Sequence, residues 1–246
     1  MLSRAALFLF GMFVGACAQS STVQPTAPNH EAQAHDLASK TVALVTRRED
    51  GSARSYCSGV WVGEAAILTA AHCVRGEQEV EYVVQSDVFA PGELHERGSV
   101  LFRTAILTAL DEDHDLALLG QGPLGGLSGP REGADPSRGP TGHRTAKVSL
   151  EPVLAGMDVQ TLGHPLGLWW SYSAGQVAAV REMEIAGTEG VWVQTTASIS
   201  PGNSGCGLFD AQGRLIGIAH GAFSKGQNLN FFVHAQYLDA FLRKNT

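Results

Sequence analysis

Three short segments of the 246-residue chain contain the side chains that nucleophilic catalysis needs. The segment LTAAHC carries His72, the segment DHDLALL carries Asp115 and the segment SPGNSG carries Ser204. A serine hydroxyl is a weak nucleophile unless a neighbouring base takes its proton, and histidine is the commonest base of that kind. An acid that enters an apolar strand needs a partner, because an unpaired carboxylate is costly to bury. Together, in the order His, Asp, Ser, the segments predict a catalytic triad.

Each of these segments, taken alone, also has a purely structural interpretation. His72 follows a run of small residues and could simply fill space, and a serine among glycines, such as Ser204, could simply form a turn. Asp113 and His114 are interpreted as exposed neighbours of the acid. Asp115 is preferred to both because it directly precedes an apolar strand.

The elements that must position these residues are mostly strands. Apolar or alternating runs bounded by turn residues predict strands at residues 41–46, 59–62, 66–69, 79–84, 99–107, 116–119, 147–152, 159–163, 175–181, 191–195, 207–209, 215–219 and 230–233. Residues 235–243 place Leu238, Phe241 and Leu242 on one helical face, which predicts a short C-terminal helix. Eight glycines and four prolines in residues 120–142 indicate a long connection. The predicted fold is all-β, in two halves.

The first residues are predicted to be an export signal. Residues 1–16 contain one charge, Arg4, and an apolar run that is too short to span a bilayer. The sequence VGAC resembles a bacterial lipobox, in which Cys17 becomes the lipidated first residue. The alternative is ordinary signal cleavage after the sequence ACA. Residues 17–39 are rich in Ala, Gln, Ser, Thr and Pro, and we predict a flexible tether there.

Composition excludes several classes of protein. Lys and Arg total 17 and Asp and Glu total 24, so the net charge is −7, and without a basic block this argues against nucleic-acid binding. The four cysteines are too few for a disulfide-dense small scaffold. The aliphatic content is too high for a disordered chain.

From about residue 41 to its end, the chain resembles the trypsin/chymotrypsin-like serine endopeptidases. The motifs TAAHC, DLALL and GNSG are similar to the histidine, aspartate and serine segments of that family. TLGHPLGL and QTTASISPGNS resemble the bacterial Deg-type proteases, whereas LIGIAHG and the C-terminal tail resemble glutamyl endopeptidases. The resemblance implies a double six-stranded β-barrel, with the first barrel in residues 40–120, a connection in 121–146, and the second barrel and its closing helix in 147–246.

The resemblance also assigns a role to each residue of the triad. Ser204 would attack the scissile carbonyl, His72 would take its proton and return it to the leaving amine, and Asp115 would orient the imidazole. The backbone N–H groups of Gly202 and Ser204 would form the oxyanion hole. Asn203 stands where the animal digestive enzymes carry an aspartate that pairs with a newly cut N-terminus, so that activation switch is not expected here.

The cysteines gain roles from the same resemblance. Cys57 and Cys73 correspond to a disulfide beside the catalytic histidine, and export favours that bond. Two buried free thiols are the alternative. If Cys17 is lipidated, Cys206 has no partner, and we interpret it as a small buried residue rather than a nucleophile or a metal ligand.

Specificity is the least determined property. Ser198 lies six residues before the nucleophile, at the base of the primary pocket, and the absence of an acid there disfavours cleavage after Lys or Arg. Ala219 and His220 are assigned to the pocket by alignment with the glutamyl endopeptidases. The histidine by which those enzymes select their substrates aligns with Ala219, and His220 falls one residue late, which reverses its face in a strand and disfavours selection of glutamate. Leu229 is expected near the pocket wall.

The sequence therefore predicts an exported serine endopeptidase of the bacterial cell envelope, anchored by lipid, periplasmic or on the surface, or else secreted. It would cleave polypeptides after small or medium apolar residues. A glutamyl-specific enzyme and a catalytically silent binding module are the alternatives. No cofactor, metal, nucleic-acid partner or assembly through PDZ domains is expected, whereas membrane attachment through a lipidated Cys17 is.

Overall fold

The computed structural model describes residues 29–49, 52–85, 102–121, 143–223 and 226–246. Its twelve strands form two closed six-stranded barrels, and a helix follows the last strand. The predicted all-β fold with a double barrel and a short C-terminal helix is confirmed. The predicted signal peptide, with Cys17, lies outside the described residues, as does most of the Gly/Pro-rich connection.

The N-terminal barrel contains six antiparallel strands in the spatial order β1-β2-β3-β6-β5-β4, and β1 closes it by pairing with β4. They are β1 (Thr41–Arg47), β2 (Ala53–Gly63), β3 (Ala66–Ala70), β4 (Glu79–Val84), β5 (Arg103–Asp111) and β6 (Leu116–Gln121).

The C-terminal barrel is built in the same way, in the order β10-β11-β12-β9-β8-β7, and β10 closes it against β7. Its strands are β7 (Asp158–Gly163), β8 (Ser171–Ile185), β9 (Thr188–Thr195), β10 (Gly207–Asp210), β11 (Leu215–Ala222) and β12 (Asn230–His234). The helix α2 (Ala235–Asn245) then returns over the barrels and buries Leu238 and Phe241.

Two predictions about individual elements are wrong. Residues 147–152 do not form a strand: only Val148 makes an isolated bridge, and Leu150 is 56% exposed, so the apolar run has no sheet to enter. The predicted flexible tether is also wrong over residues 30–39, where helix α1 (His30–Lys40) forms. Asn29 caps that helix by accepting a hydrogen bond from the N–H of Ala32, which stabilises its first turn.

A shared hydrophobic core joins the barrels to both helices. It contains Val60 and Leu118 of the first barrel, Trp192 and Phe209 of the second, and Leu37 of α1, all nearly or fully buried. The facing barrels are therefore held at a fixed separation, and the site described next lies where they meet. Neither helix in the described part of the chain has the length and hydrophobicity that crossing a bilayer requires.

Candidate active site

The two members of the site that come from the first barrel lie at the ends of paired strands. His72 lies in the 3-10 turn Ala71–Cys73, directly after β3, and Asp115 directly precedes β6. Ala70 of β3 pairs with Leu116 of β6. Ala71, which follows β3, therefore lies opposite Asp115, which precedes β6. The N–H of Ala71 donates to the carbonyl oxygen of Asp115 at 3.0 Å, which fixes the two turns together.

The carboxylate of Asp115 orients the imidazole of His72. Nδ1 of His72 lies 2.8 Å from Oδ2 and 3.1 Å from Oδ1 of Asp115, and the backbone N–H of His72 donates to Oδ1 at 2.9 Å. Burial would raise the pKa of Asp115, but hydrogen bonds from His220 and His72 outweigh it and hold this pKa well below its usual range. The carboxylate is thus an acceptor only, and Nδ1 of His72 must carry a proton, which leaves Nε2 free to act as a base.

The turn of the second barrel that carries Ser204 is held against the first barrel. The N–H of Ser58 donates to the carbonyl oxygen of Ser204 at 2.8 Å, and Sγ of Cys73 lies 3.6 Å from the same oxygen. The hydroxyl of Ser204 donates to the carbonyl oxygen of His220 at 3.5 Å, and among the hydrogen bonds of the described residues none joins it to His72. Hydrogen bonds between nucleophile and base are often long in unliganded sites and tighten when substrate binds.

The predicted oxyanion hole has the required free donors. Within the described part of the chain, the backbone N–H groups of Gly202 and Ser204 donate to no protein acceptor. Gly202 has φ +103°, and a Cβ there would lie 2.3 Å from the carbonyl oxygen of His164, so only glycine fits. Gly205, at φ +83°, is equally restricted: its Cβ would lie 2.2 Å from the carbonyl oxygen of Ser58.

A buried histidine, His164, supports the turn that carries Gly202 and Ser204. The hydroxyl of Ser58 donates to the carbonyl oxygen of Gly202 at 2.9 Å and therefore accepts from Nδ1 of His164, also at 2.9 Å. His164 is fully buried, and burial lowers its pKa to about 3, so the ring is neutral. Its Nε2 atom has no partner in the described structure. Neither Ser58 nor His164 is predicted from the sequence as a site residue, because neither lies in a triad motif.

His220 and Ala219 do not line the primary pocket, which corrects two of the residues predicted there. Ala219 is fully buried in the core of the second barrel. His220 turns towards the triad, with its Nδ1 atom 2.6 Å from Oδ2 of Asp115. A bulge between Ala219 and Gly221 shifts the pairing of β11 with β12, and bulges re-aim side chains in this way.

A pocket of about 730 Å³ opens beside Ser204 and includes the other two predicted residues, Ser198 and Leu229. None of its described lining residues is charged. Its remaining walls come from the segment before the nucleophile and from the ends of β11 and β12, namely Ile199, Ser200, Pro201, Gly221, Ala222, Phe223, Gly226, Gln227, Asn228 and Asn230.

The three cysteines among the described residues are arranged as expected. Cys57 and Cys73 form a disulfide that ties β2 to the turn of His72. Cys206 is free and fully buried, and burial raises the pKa of its thiol to about 12, as befits a structural residue. The sulfur contacts Oγ1 of Thr161 at 3.1 Å.

Among the described residues, two groups of side chains have the composition of metal ligands. In one, Cys57 and Cys73 flank His72, but their sulfurs are bonded to each other and cannot coordinate an ion. In the other, His72, Asp115 and His220 bring one ligand atom each within 4.8 Å of the others. There, both Nδ1 atoms already lie within hydrogen-bonding distance of the carboxylate.

Comparison with known proteins agrees with this geometry. Residues 57–218 match the model of the trypsin-like peptidase domain. The chloroplastic Protease Do-like 1 of Arabidopsis thaliana is 28% identical over 170 residues, which are 67% of this chain and 32% of that protein. The magnetosome formation protease MamE of Paramagnetospirillum magneticum is 33% identical over 172 residues, which are 68% of this chain and 20% of that protein.

Solved structures share the fold. A serine endoprotease from Yersinia pestis has a TM-score of 0.63 at 22% identity, and the match covers 90% of this chain and 67% of that one. The HtrA-type protease AlgW with tripeptide has a TM-score of 0.66 at 21% identity, and the match covers 88% and 63%. The chain spans a third or less of the length of the curated relatives it matches.

Proposed function

Because the chain belongs to the family defined by the trypsin-like peptidase domain, we propose that it is an exported serine endopeptidase that works through His72, Asp115 and Ser204. The observation that carries this proposal is the carboxylate of Asp115, which holds Nδ1 of His72 and leaves Nε2 as the free base. The free N–H groups of Gly202 and Ser204 supply the second requirement, a place for the oxyanion.

In the proposed reaction, Ser204 attacks the scissile carbonyl carbon as Nε2 of His72 takes the hydroxyl proton. The oxyanion accepts hydrogen bonds from Gly202 and Ser204, and the ionised Asp115 stabilises the imidazolium. His72 then gives its proton to the leaving amine, and an acyl-enzyme remains. A water molecule, deprotonated by His72, hydrolyses that ester and frees Ser204.

The pocket beside Ser204 supports the proposed cleavage after small or medium apolar residues. Ile199, Phe223 and Leu229 contribute apolar walls, and Ser198 brings no charge. Cleavage after glutamate requires a buried cation or a histidine in the pocket, because an unpaired carboxylate is costly to desolvate. His220, the nearest histidine in the sequence, faces Asp115 instead, which argues against the glutamyl alternative.

A silent, binding-only relative is the second candidate, and one observation favours it. The Ser204 hydroxyl donates to the carbonyl of His220 rather than to His72. Reaction with a fluorophosphonate probe separates the two candidates, because only an activated serine is phosphonylated. We expect one probe per chain on Ser204, and none on a Ser204→Ala variant. Absence of labelling in folded, disulfide-bonded protein would leave the binding module as the better proposal.

Substrate preference and location have separate tests. A peptide library should show cleavage after Ala, Val or similar residues, and a dominant preference for Glu would contradict the pocket assignment. The lipobox at Cys17 and the disulfide near His72 support export to the cell envelope. A Cys17→Ser variant should leave the membrane fraction, and unchanged membrane association would count against lipid anchoring.

A further inference from the structure

One oxygen of the catalytic carboxylate is shared by two imidazoles. Oδ2 of Asp115 lies 2.8 Å from Nδ1 of His72 and 2.6 Å from Nδ1 of His220. The two rings meet edge to face, with centroids 5.7 Å apart. The side chains of Asp115 and His220 are only 5% and 11% exposed, whereas that of His72 is 36% exposed and reaches the open face of the site.

This arrangement fixes both tautomers. An ionised carboxylate only accepts hydrogen bonds, so the Nδ1 atoms of His72 and His220 must both carry protons. With two donors on one oxygen, the carboxylate has little freedom to rotate about its own bond. The position of the His72 ring, and therefore of its Nε2 lone pair, depends on His220 as well as on Asp115.

The local backbone is arranged to bring His220 to this position. The bulge in β11 at residue 220 turns its side chain out of the alternation of the strand and towards Asp115. Trp192 packs beside the ring at a centroid distance of 4.8 Å and limits its movement. The carbonyl oxygen of His220 also accepts from the hydroxyl of Ser204, so one residue contacts both the acid and the nucleophile.

We propose that His220 is a positioning residue of the active site, whose imidazole orients Asp115 for His72. The proposal rests on the proposed peptidase function only for its kinetic consequence. The hydrogen bonding itself is a property of the three side chains and is measurable whether or not the protein is active.

Two variants test the hydrogen bond from His220 to Asp115. In His220→Asn, the amide Nδ2 can occupy the position of Nδ1 and donate to Asp115. In His220→Ala, the donor is lost. His114→Asn is the matched control, because His114 bonds to Asp111 and not to Asp115. The readouts are kcat and KM for peptide hydrolysis, and the imidazole 15N and Nδ1-proton chemical shifts of His72 at one fixed pH.

We expect His220→Ala to lower kcat about 10-fold to 100-fold, less than the 10⁴-fold loss caused by neutralising the triad aspartate itself, with KM nearly unchanged. His220→Asn should retain kcat to within about threefold, and His114→Asn should match the parent protein. The His72 imidazole shifts should be alike in the parent and in His220→Asn and should differ in His220→Ala.

The proposal is overturned if His220→Ala keeps the parent kcat, if Ala and Asn variants lose kcat equally, or if the His72 imidazole shifts of His220→Ala match those of the parent. Should His220→Ala fail to fold, His220→Leu, which fills the site but donates no hydrogen bond, takes its place. If the parent protein does not react with a fluorophosphonate, the peptidase proposal fails, and the imidazole shifts still decide whether His220 positions Asp115 for His72.

Discussion

At the scale of single residues, Asp115 is held in a backbone conformation that few side chains adopt. Its φ is +55°, in the left-handed region, and its carbonyl oxygen and carboxylate are both engaged by the turn of His72. Strained conformations persist where surrounding contacts over-determine them, and they are concentrated at functional sites. The contacts of Asp115 thus fix its backbone and its side chain together.

Asparagine is the informative replacement for Asp115, because it tolerates the left-handed region and is nearly the same size. Asp115→Asn should fold with some loss of stability, because the amide has one acceptor oxygen for the three donors that face the carboxylate. It should lower kcat by about 10⁴-fold, since an amide neither stabilises the imidazolium nor enforces the tautomer of His72. Peptide hydrolysis and thermal unfolding measure the two effects. Asp113→Asn, two residues away, serves as the control and should be fully active. Near-parental activity in Asp115→Asn would remove Asp115 from the triad.

The role of Gly202 can be tested against a control glycine, Gly156, which has a similar backbone conformation. Gly202 and Gly156 both have positive φ, +103° and +88°, but a Cβ on Gly156 meets nothing within 4 Å whereas one on Gly202 collides with the carbonyl of His164. Gly202→Ala should displace the turn that carries the oxyanion donors and lower kcat by about 10²-fold to 10³-fold. Gly156→Ala carries the same backbone strain and should leave kcat unchanged. Equal kcat in both variants would show that the donors at residue 202 are dispensable.

Burial of His164 makes the stability of the fold depend on pH. The pKa of His164 is about 3 in the folded protein and 6.5 for an exposed imidazole. Below pH 6.5 the unfolded chain therefore binds a proton that the folded protein does not bind. The free energy of unfolding should therefore fall as the pH drops from 6.5 towards 3, by up to about 1.4 kcal/mol per pH unit from this group.

Urea unfolding of the parent and of His164→Asn across this range measures the contribution of His164. The variant should show the shallower dependence on pH, while His35→Asn, on an exposed position of α1, should keep the parental slope. Parallel slopes in parent and His164→Asn would mean that His164 is protonated in the folded state.

At the scale of elements, the sequence predicted most strands but not their irregularities. The strand predicted to end at residue 107 continues as β5 to Asp111. The prediction stopped early because a bulge between Leu107 and Ala109 interrupts the alternation of apolar and polar residues. The strand predicted at 175–181 is the middle of β8, which extends it by four residues at each end. His220 was assigned to the pocket for the same reason, since a residue in a bulge does not obey the period of two.

The motifs, by contrast, predicted three catalytic positions from three strand ends, and the structure brings two of them into contact. His72 and Asp115 meet because β3 and β6 pair, although 43 residues separate them. Support from Ser58 and His164 could not be predicted, because it depends on how the second barrel docks on the first. Helix α1 was missed because its buried face consists only of Leu37, Ala38 and the stem of Lys40.

The disulfide joins two elements of the first barrel and also borders the nucleophile. The 16-residue separation of Cys57 and Cys73 predicts that replacing both with alanine lowers the free energy of unfolding by about 3 kcal/mol. The loss of peptidase activity should be larger than the fraction of unfolded protein accounts for, because Cys73 is next to His72 and its sulfur contacts the carbonyl of Ser204. Urea unfolding with and without reductant checks the first effect: the parent should lose stability on reduction and the double variant should not. Equal stability of parent and double variant would contradict this.

At the scale of the whole molecule, the active site depends on the docking of two barrels that each supply part of it. The shared core that joins them also receives Leu37 and Ala38 from α1, the helix that precedes the first strand. Asp36 of that helix pairs with Arg144, which belongs to the chain entering the second barrel, and Lys40 donates to the carbonyl of Gly213. Helix α1 therefore connects the first barrel to the second.

This role of α1 predicts that Leu37 contributes to stability as a core residue although it lies in a segment with the composition of a linker. Leu37 is 1% exposed, so Leu37→Ala should lower the free energy of unfolding by about 2–5 kcal/mol, the usual result of opening a cavity in a packed core. His35→Ala, on the exposed side of the same helix, should change it by less than about 0.5 kcal/mol. Urea unfolding followed by tryptophan fluorescence measures both, because Trp192 lies in the same core. Equal stability of the two variants would show that α1 does not contribute to the hydrophobic core. A loss confined to Leu37→Ala, accompanied by a fall in peptidase activity well below the unfolding midpoint, would show that α1 helps to keep His72 and Ser204 facing each other.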